Sequence, residues 1–235
     1  MHEQLETIKS KLKELKRLDS SFVLFGSSTH RYKLNPTLPL QKIKQFEEDH
    51  QIKLPDGYVQ FITKIGNGGA GPFYGLERFE DVLFNDLDYK RPDSLRNPSK
   101  PFLHTTPWKL EFLSTVTEQE NEEEYEMQLQ AFEEVYYNEE QMNGVIAICN
   151  YGCAVSLNLV VNGEEYGNIW TDGRGGNTGI HPSHELGNTE KITFLNWYER
   201  WLDNSLKEIK AKISLSITET VNPQNSQSKP WWKFW

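Results

Sequence analysis

The stretch GNGGAGPFYGL, residues 66–76, contains five glycines and one proline within eleven positions. A phosphate-binding P-loop needs a GxxxxGK[ST] pattern, and this stretch has no lysine and no following serine or threonine. A dinucleotide-binding loop follows a strand and precedes a helix. Here a predicted helix precedes the loop and a predicted strand follows it. We therefore interpret the stretch as a tight turn that joins a helix to a strand.

The segments on either side of this turn carry the corresponding patterns. LPDGYVQFITKIG, residues 54–66, predicts a helix that begins at Pro55 and has Gly66 as its C-cap. PFYGLERFEDV, residues 72–82, predicts a strand followed by a turn. The turn is thus expected to connect the helical part of the fold to its sheet.

The N-terminal part of the chain is predicted to be mainly helical. Apolar residues recur at helical spacing from Leu5 to Leu18, which indicates an amphipathic helix with one buried stripe. A second helix is predicted to begin after Pro39. Between them, residues 21–36 have the composition of a short strand that ends before the prolines.

The central part combines a long loop with an acidic helix. Residues 85–107 are rich in Asp, Asn and Pro and are predicted to form a loop, and WKLEFLSTV, residues 108–116, is a candidate strand. Residues 118–141 contain many glutamates and no lysine or arginine. Their partial apolar periodicity predicts a helix with an acidic outer side.

Three strand patterns then follow one another with short turn-like separators, at residues 144–151, 153–163 and 167–174. Residues 192–210 have the periodicity of an amphipathic helix. The predicted fold class is therefore α+β. It has a largely antiparallel meander packed with helices, and amphipathic helices at both ends.

The domain organisation follows from a change in composition near the C-terminus. Residues 1–211 are predicted to form a single domain, and residues 212–235 a flexible tail that ends in PWWKFW. The aromatic end has three possible roles: packing on its own domain, docking on a partner, or contact with a membrane interface. The tail is too short and too weakly charged for stable membrane anchoring.

The charge balance restricts the class of partner. The net charge is −9 and the pI about 5.3, which argues against direct nucleic-acid binding and is compatible with a basic protein partner. Two cysteines are too few for a secreted disulfide scaffold, and we find no apolar signal core or membrane-length run. We expect a cytoplasmic protein.

Residue patterns for catalysis or metal binding are weak. A metal site would have to combine Cys149, Cys153, His181 and His184, and the cysteines are more typical of buried strand ends. A nucleophilic site would have to combine Cys153 with His181 and Asp172, for which the sequence offers no supporting motif. The glutamate run is more typical of a solvated helix face than of acid–base catalysis. We predict no enzyme activity, cofactor or metal.

A second glycine-rich loop, TDGRGGNTGIHP, occupies residues 171–182. Asp172 and Arg174 within it are positioned to pair locally or to hold the loop. The segment is most simply a turn that leaves a strand. The alternative is a binding rim beside the first glycine loop, because loops on a rigid scaffold often carry function.

Several of these segments together resemble one family. They are FGSSTHRYKLNP, LPDGYVQFITKIGNGGAGPFYGL, ICNYGCAVSLNLVVNGEEYGNIWTDGRGGNTGIHP and TFLNWYERWLD, and they lie between residues 22 and 205. In this order and spacing they resemble the SUKH superfamily of Smi/Knr-type proteins. The resemblance implies an α+β fold without catalytic residues or cofactors.

The resemblance also implies a function. Most bacterial members look like immunity proteins that bind the toxic C-terminal domain of a polymorphic toxin, often a nuclease, and block it. The fungal relatives suggest the alternative of a regulatory or scaffold module for an endogenous protein partner. The residues that match family-defining positions are Gly66, Asn67, Gly68, Gly69, Gly71, Pro72, Tyr74, Gly152, Cys153, Trp170 and Asp172.

The acidic segment is the predicted contact surface for such a toxin domain. A nuclease is commonly basic, so an acidic helix would attract it, and tyrosines would anchor it. The sequence does not determine the oligomeric state. The predicted contact residues are Glu122, Glu123, Glu124, Tyr125, Glu133, Glu134, Tyr136 and Tyr137.

Overall fold

Four strands pair in chain order into one antiparallel sheet, in a computed structural model that describes residues 1–221. The strands are β1 (Val145–Gly152), β2 (Val155–Val160), β3 (Ile169–Gly173) and β4 (Gly179–Pro182). The helices are α1 (His2–Leu18), α2 (Ser27–His30), α3 (Leu40–His50), α4 (Asp56–Lys64), α5 (Glu122–Tyr136) and α6 (Phe194–Val221). The predicted α+β class, with a meander and a helix at each end, is confirmed.

The sheet is covered on both faces. The main core lies between one face, which includes Leu157 and Ile169, and the helices α1, α3, α4 and α6. A second, smaller core covers the other face around Trp170 and Ile180. Strand residues alternate between these two cores because successive side chains point to opposite faces. Helix α1 contributes its buried stripe of Leu5, Ile8, Leu12 and Leu15 to the main core.

The first glycine loop connects the helical part to the sheet through backbone pairing. Gly69 pairs with Leu34 on one side and with Leu76 on the other, and Leu76 pairs with Cys149 at the edge of β1. The Gly69 and Leu76 amides each donate to the other's carbonyl, at 2.9 and 2.7 Å. The loop therefore forms a tight turn that extends the sheet beyond β1.

Close backbone approach explains why glycine is needed in this loop. A Cβ at Gly69, where φ is +98°, would lie 2.4 Å from the Lys33 carbonyl oxygen. Helix α4 ends at Lys64 with Ile65 as its C-cap, so Gly66 is not the capping residue that the sequence predicted. Gly66 is instead required because a Cβ there would lie 2.8 Å from the Leu34 Cβ.

Two predicted strands do not form. Of residues 72–82 only Leu76 makes a bridge, and Phe79–Asp81 form a short 3-10 turn. Of residues 108–116 only Trp108 pairs, with Ile180 on β4. The later residues of this segment lie against α5 instead, with the Phe112 ring 5.4 Å from that of Phe132.

The segment at residues 21–36 also differs from the predicted strand. It contains the single turn of α2, and only Leu34 makes a bridge. Strand β4 was not predicted, because it lies within the second glycine-rich loop. The apolar composition of these short segments does not distinguish a strand from a loop that is buried by tertiary contacts.

The C-terminal helix α6 continues to Val221, past the predicted boundary at residue 211. The predicted PWWKFW end lies outside the described residues. Within residues 1–221, no helix combines the length and apolar character that a membrane crossing requires.

We expect Gly69→Ala to destabilise the fold far more than Gly167→Ala. Both glycines have positive φ, at +98° and +88°, so both substitutions place alanine in the left-handed region at a cost of about 1–2 kcal/mol. Only Gly69 has a backbone atom in the space that its Cβ would occupy. Urea denaturation should therefore give a loss in unfolding free energy at least about 2 kcal/mol larger for Gly69→Ala. Equal losses would contradict the role assigned to close packing here.

Candidate partner-binding surface

The acidic helix α5 is anchored by one side and exposed on the other. Its N-cap is Asn121, whose side chain accepts a hydrogen bond from the Glu124 amide at 3.3 Å. Glutamates in the first turn are favourable there because they face the positive end of the helix dipole. The predicted contact residues Glu122, Glu123, Glu133 and Glu134 are exposed on this helix. Their carboxylates form an acidic outer surface.

The other predicted contacts on α5 are less accessible. Glu124 is half-buried and accepts hydrogen bonds from Asn121 and Gln128. Tyr125 is also half-buried, with its ring 5.5 Å from that of Phe112. These two side chains contact the rest of the protein and are less available to a partner.

The two adjacent tyrosines at the C-terminal end of α5 have opposite environments. Tyr136 is only 2% exposed and stacks between Trp108 and Phe132, with ring centroids 5.5 and 5.2 Å away. The prediction that Tyr136 anchors a partner does not fit this position, because its ring is buried between those of Trp108 and Phe132. Tyr137 is 49% exposed and remains available.

An ion pair at the end of β3 holds the C-terminus of α5. Arg174 donates from Nε and from a terminal nitrogen to the two Asp172 carboxylate oxygens, both at 2.8 Å. Its other terminal nitrogen donates to the carbonyls of Tyr136 and Asn138, at 2.9 and 3.0 Å. The last carbonyls of a helix lack partners within the helix. The local pairing predicted for Asp172 and Arg174 is present, and it also caps α5.

This arrangement determines the charge state of Asp172. Burial raises the pKa of the Asp172 carboxyl, but the hydrogen bonds and charge of Arg174, together with the charge of Arg96, outweigh burial. The pKa of Asp172 is therefore held below its ordinary value. Arg96 lies deeper, and burial lowers its pKa to about 10. Asp172 is ionised at neutral pH and remains paired.

The turn between β1 and β2 lies between the two glycine-rich loops. Cys153 and Ala154 form a two-residue turn with both residues in the left-handed region, at φ of 52° and 58°. On one side, a Cβ at Gly152 would meet the Tyr74 ring at 2.9 Å. On the other side, a Cβ at Gly175 would meet Ala154 at 2.7 Å. Both glycine-rich loops thus contact the β1–β2 turn, one on each side.

An acidic cleft opens on the side of the second loop. It has a volume of about 340 Å³ and extends from the β1–β2 turn to Tyr137. The acidic residues that line it are Asp86, Asp88, Glu139 and Asp172. Asp172 is neutralised by Arg174, whereas the other three form no ion pair within residues 1–221.

Exposed aromatic side chains lie on the opposite side of the same turn. Phe25 is 63% exposed, Tyr74 43% and Tyr151 38%, and Phe73 lies half-buried among them. The sequence analysis did not assign this group to a surface, and it named Tyr74 only among the family-defining positions. Local periodicity has no signal for it because the four residues come from three distant segments.

The alternative chemistries do not assemble as the sequence hypotheses required. His181 and His184 lie together, with ring centroids 4.6 Å apart, but the Cys149 thiol is buried and donates to the Pro72 carbonyl. Among the described residues, no three His, Cys, Asp or Glu side chains are grouped to hold a metal ion. His181 pairs with Thr171 across the sheet, so it projects from the face opposite to Asp172.

Comparison with known proteins identifies the family. The SMI1/KNR4 family (SUKH-1) matches residues 37–192, about two thirds of the chain. The chain belongs to this family. The SMI1/KNR4 match includes both glycine loops, α5 and the whole sheet, whereas α1 and α6 lie outside it. No curated protein matches the chain, and no solved structure matches it.

Breaking the Asp172–Arg174 pair should strongly destabilise the protein. Arg174→Gln leaves a buried carboxylate without its cation, so we expect urea denaturation at neutral pH to show a loss of about 3–5 kcal/mol. The matched control is Arg200→Gln, because Arg200 also donates to two carbonyls but is exposed, and its loss should stay below about 1 kcal/mol. Similar losses for both variants would contradict the assigned role.

The same pair should contribute to acid sensitivity. The pKa of Asp172 is lower in the folded state than in the unfolded state. The carboxylate therefore stabilises the fold fully above the unfolded pKa of about 3.9, and this contribution is lost as the pH falls through the folded-state pKa. Unfolding free energy measured across the acidic range should fall less steeply for Asp172→Asn/Arg174→Gln than for the wild type. An unchanged slope would exclude this carboxyl as a contributor.

Proposed function

We propose that this protein is an immunity protein that binds and neutralises a cognate toxin domain, such as a nuclease. Membership of the SMI1/KNR4 family supports a role in protein binding. The observation that carries the proposal is the acidic outer surface of α5, where Glu122, Glu123, Glu133 and Glu134 are exposed and the ends of the helix are held by Asn121 and Arg174.

The negative charge of this surface would attract a basic partner. A toxin that acts on nucleic acid must engage phosphates, so its active-site face is expected to be basic. An acidic inhibitor surface attracts that face over several ångströms and raises the rate of association. The net charge of −9 adds to the attraction. On this proposal, α5 guides the toxin domain to the inhibitor. The bound inhibitor then covers the active-site face of the toxin.

The anchoring of α5 favours this use. Its apolar side packs through Phe132 and Tyr136, and Arg174 holds its last carbonyls. The glutamates are therefore presented on a pre-ordered helix, and less conformational entropy is lost on binding. Tyr137 lies at the end of this surface, half-exposed, as the remaining aromatic contact of the predicted set.

Co-expression with a toxin domain encoded beside this gene tests the function directly. We expect cells to survive, and the tagged protein to capture the toxin domain in a stable complex. Death of the cells with every neighbouring toxin, and no complex, would reject the immunity function. A regulatory or scaffold role for an endogenous protein partner would then be the better hypothesis.

Charge reversal on α5 should slow association with that toxin domain. In Glu122→Lys/Glu123→Lys/Glu133→Lys/Glu134→Lys, we expect an on-rate about tenfold lower at low salt and a flatter salt dependence. Stopped-flow or surface-based kinetics would measure both. The change in off-rate should be smaller, because these side chains are solvated.

A matched control separates local charge from net charge. Glu3→Lys/Glu48→Lys/Asp49→Lys/Glu164→Lys changes the net charge equally at exposed carboxylates outside α5 that form no ion pair within residues 1–221. We expect this control to lower the on-rate much less. Equal rates for the two variants would exclude α5 as the guiding surface.

A further inference from the structure

An exposed aromatic group stands at one end of the sheet, beside the β1–β2 turn. We refer to Phe25, Phe73, Tyr74 and Tyr151 as the aromatic corner. Its rings are in mutual contact, with centroids 5.5 Å apart for Phe25 and Tyr74 and 4.3 Å apart for Phe73 and Tyr151. Exposed aromatic residues in contact with one another are typical of the energetic centre of a protein interface.

The aromatic corner is held by close backbone packing. A Cβ at Gly26 would lie 1.6 Å from the Phe73 carbonyl oxygen, so the segment that carries Phe25 lies directly on the glycine loop. The Cys149 thiol donates to the Pro72 carbonyl and joins the same loop to β1. Three distant segments are thus fixed around these rings, and little ordering is needed when a partner binds.

The backbone at this end of the sheet adopts unfavourable conformations. Phe73, Cys153 and Ala154 all have φ between 52° and 58°, a region that costs a non-glycine residue about 1–2 kcal/mol. Such conformations persist where the surrounding structure enforces them, and they are concentrated at binding sites. They set the positions of the Phe73 ring and of the turn tip.

In the acidic cleft on the other side of the turn, Asp86, Asp88 and Glu139 form no ion pair within residues 1–221. Asp86 accepts hydrogen bonds from the backbone amides of Asp88 and Tyr89, Asp88 accepts one from Asn150, and Glu139 accepts one from Ser94. Arg174 pairs with Asp172, and Arg96 donates to backbone carbonyls and to Ser156. A lysine or arginine from outside would neutralise these carboxylates.

From this arrangement we infer that the partner binds end-on over the β1–β2 turn. An apolar group of the partner packs on the aromatic corner, and a neighbouring lysine or arginine enters the acidic cleft. This inference rests on the proposed function, with the toxin domain as the partner. The carboxylates of Asp86, Asp88 and Glu139, which form no ion pair within residues 1–221, favour a basic partner, and the acidic α5 adjoins the cleft through Tyr137. On this view α5 sets the on-rate and the turn region sets the off-rate.

Alanine substitutions at the aromatic corner test the inference with a toxin domain that the wild-type protein neutralises. We expect Phe25→Ala and Tyr74→Ala each to raise the Kd at least tenfold, mainly through faster dissociation. Tyr166→Ala is the matched control, because Tyr166 is 46% exposed against 43% for Tyr74 and lies outside this region. Its Kd should change less than twofold, and thermal melting should confirm that each variant is folded.

The cleft is tested by removing charge while keeping shape. Asp86→Asn/Asp88→Asn retains oxygen acceptors for the existing hydrogen bonds, so we expect an intact fold and a Kd raised several-fold at low salt. If the wild type binds its toxin and both the aromatic and the cleft variants bind equally well, the inference is wrong while the proposed function stands. If the wild type binds no toxin domain, the proposed function fails, and the inference fails with it.

Another occupant would overturn the inference in a different way. Hydrogen–deuterium exchange of the full chain and of a variant without residues 223–235 reports whether the PWWKFW end covers the aromatic corner. We expect equal exchange at residues 22–26, 72–76 and 150–155 in the two proteins, and protection of these segments when toxin is added. Faster exchange in the shortened protein would assign the aromatic corner to this chain's own C-terminal segment.

Discussion

The close backbone approach at Gly69 is the constraint on which the arrangement of this protein depends. One residue pairs with Leu34 from the helical part and with Leu76, which itself pairs with the edge of β1. No side chain larger than hydrogen fits at Gly69 beside the Lys33 carbonyl. This pairing fixes the position of the loop tip at Phe73 and Tyr74, and therefore the position of every aromatic residue that contacts it.

A second constraint acts at the other end of the same surface. Arg174 uses its planar, fork-like set of donors to join β3 to the last carbonyls of α5, with Asp172 providing the compensating charge. A lysine would provide neither the two-point contact with the carboxylate nor the simultaneous reach to the helix. The acidic helix is therefore oriented by the sheet.

In the proposed binding mode, the surface combines long-range attraction with contacts that require close approach. Solvated glutamates on α5 act at a distance and are sensitive to salt, because water and ions screen them. The aromatic corner and the unpaired carboxylates of the cleft act only on contact, because burial of apolar area and neutralisation of charge require close approach.

Local patterns in the sequence determined the five longer helices, the three-strand meander and the acidic character of residues 118–141, since periodicity and charge are properties of neighbouring residues. The glycine loop was likewise identified as a turn, because it lacks the lysine of a phosphate site. Tertiary contacts decided the rest. They directed Tyr136 inward and left Tyr137 exposed, one position apart on the same helix. They limited residues 72–82 and 108–116 to single bridges, and they brought Phe25, Tyr74 and Tyr151 together. These outcomes depend on packing between segments that are distant in the chain, and local periodicity carries no information about such contacts.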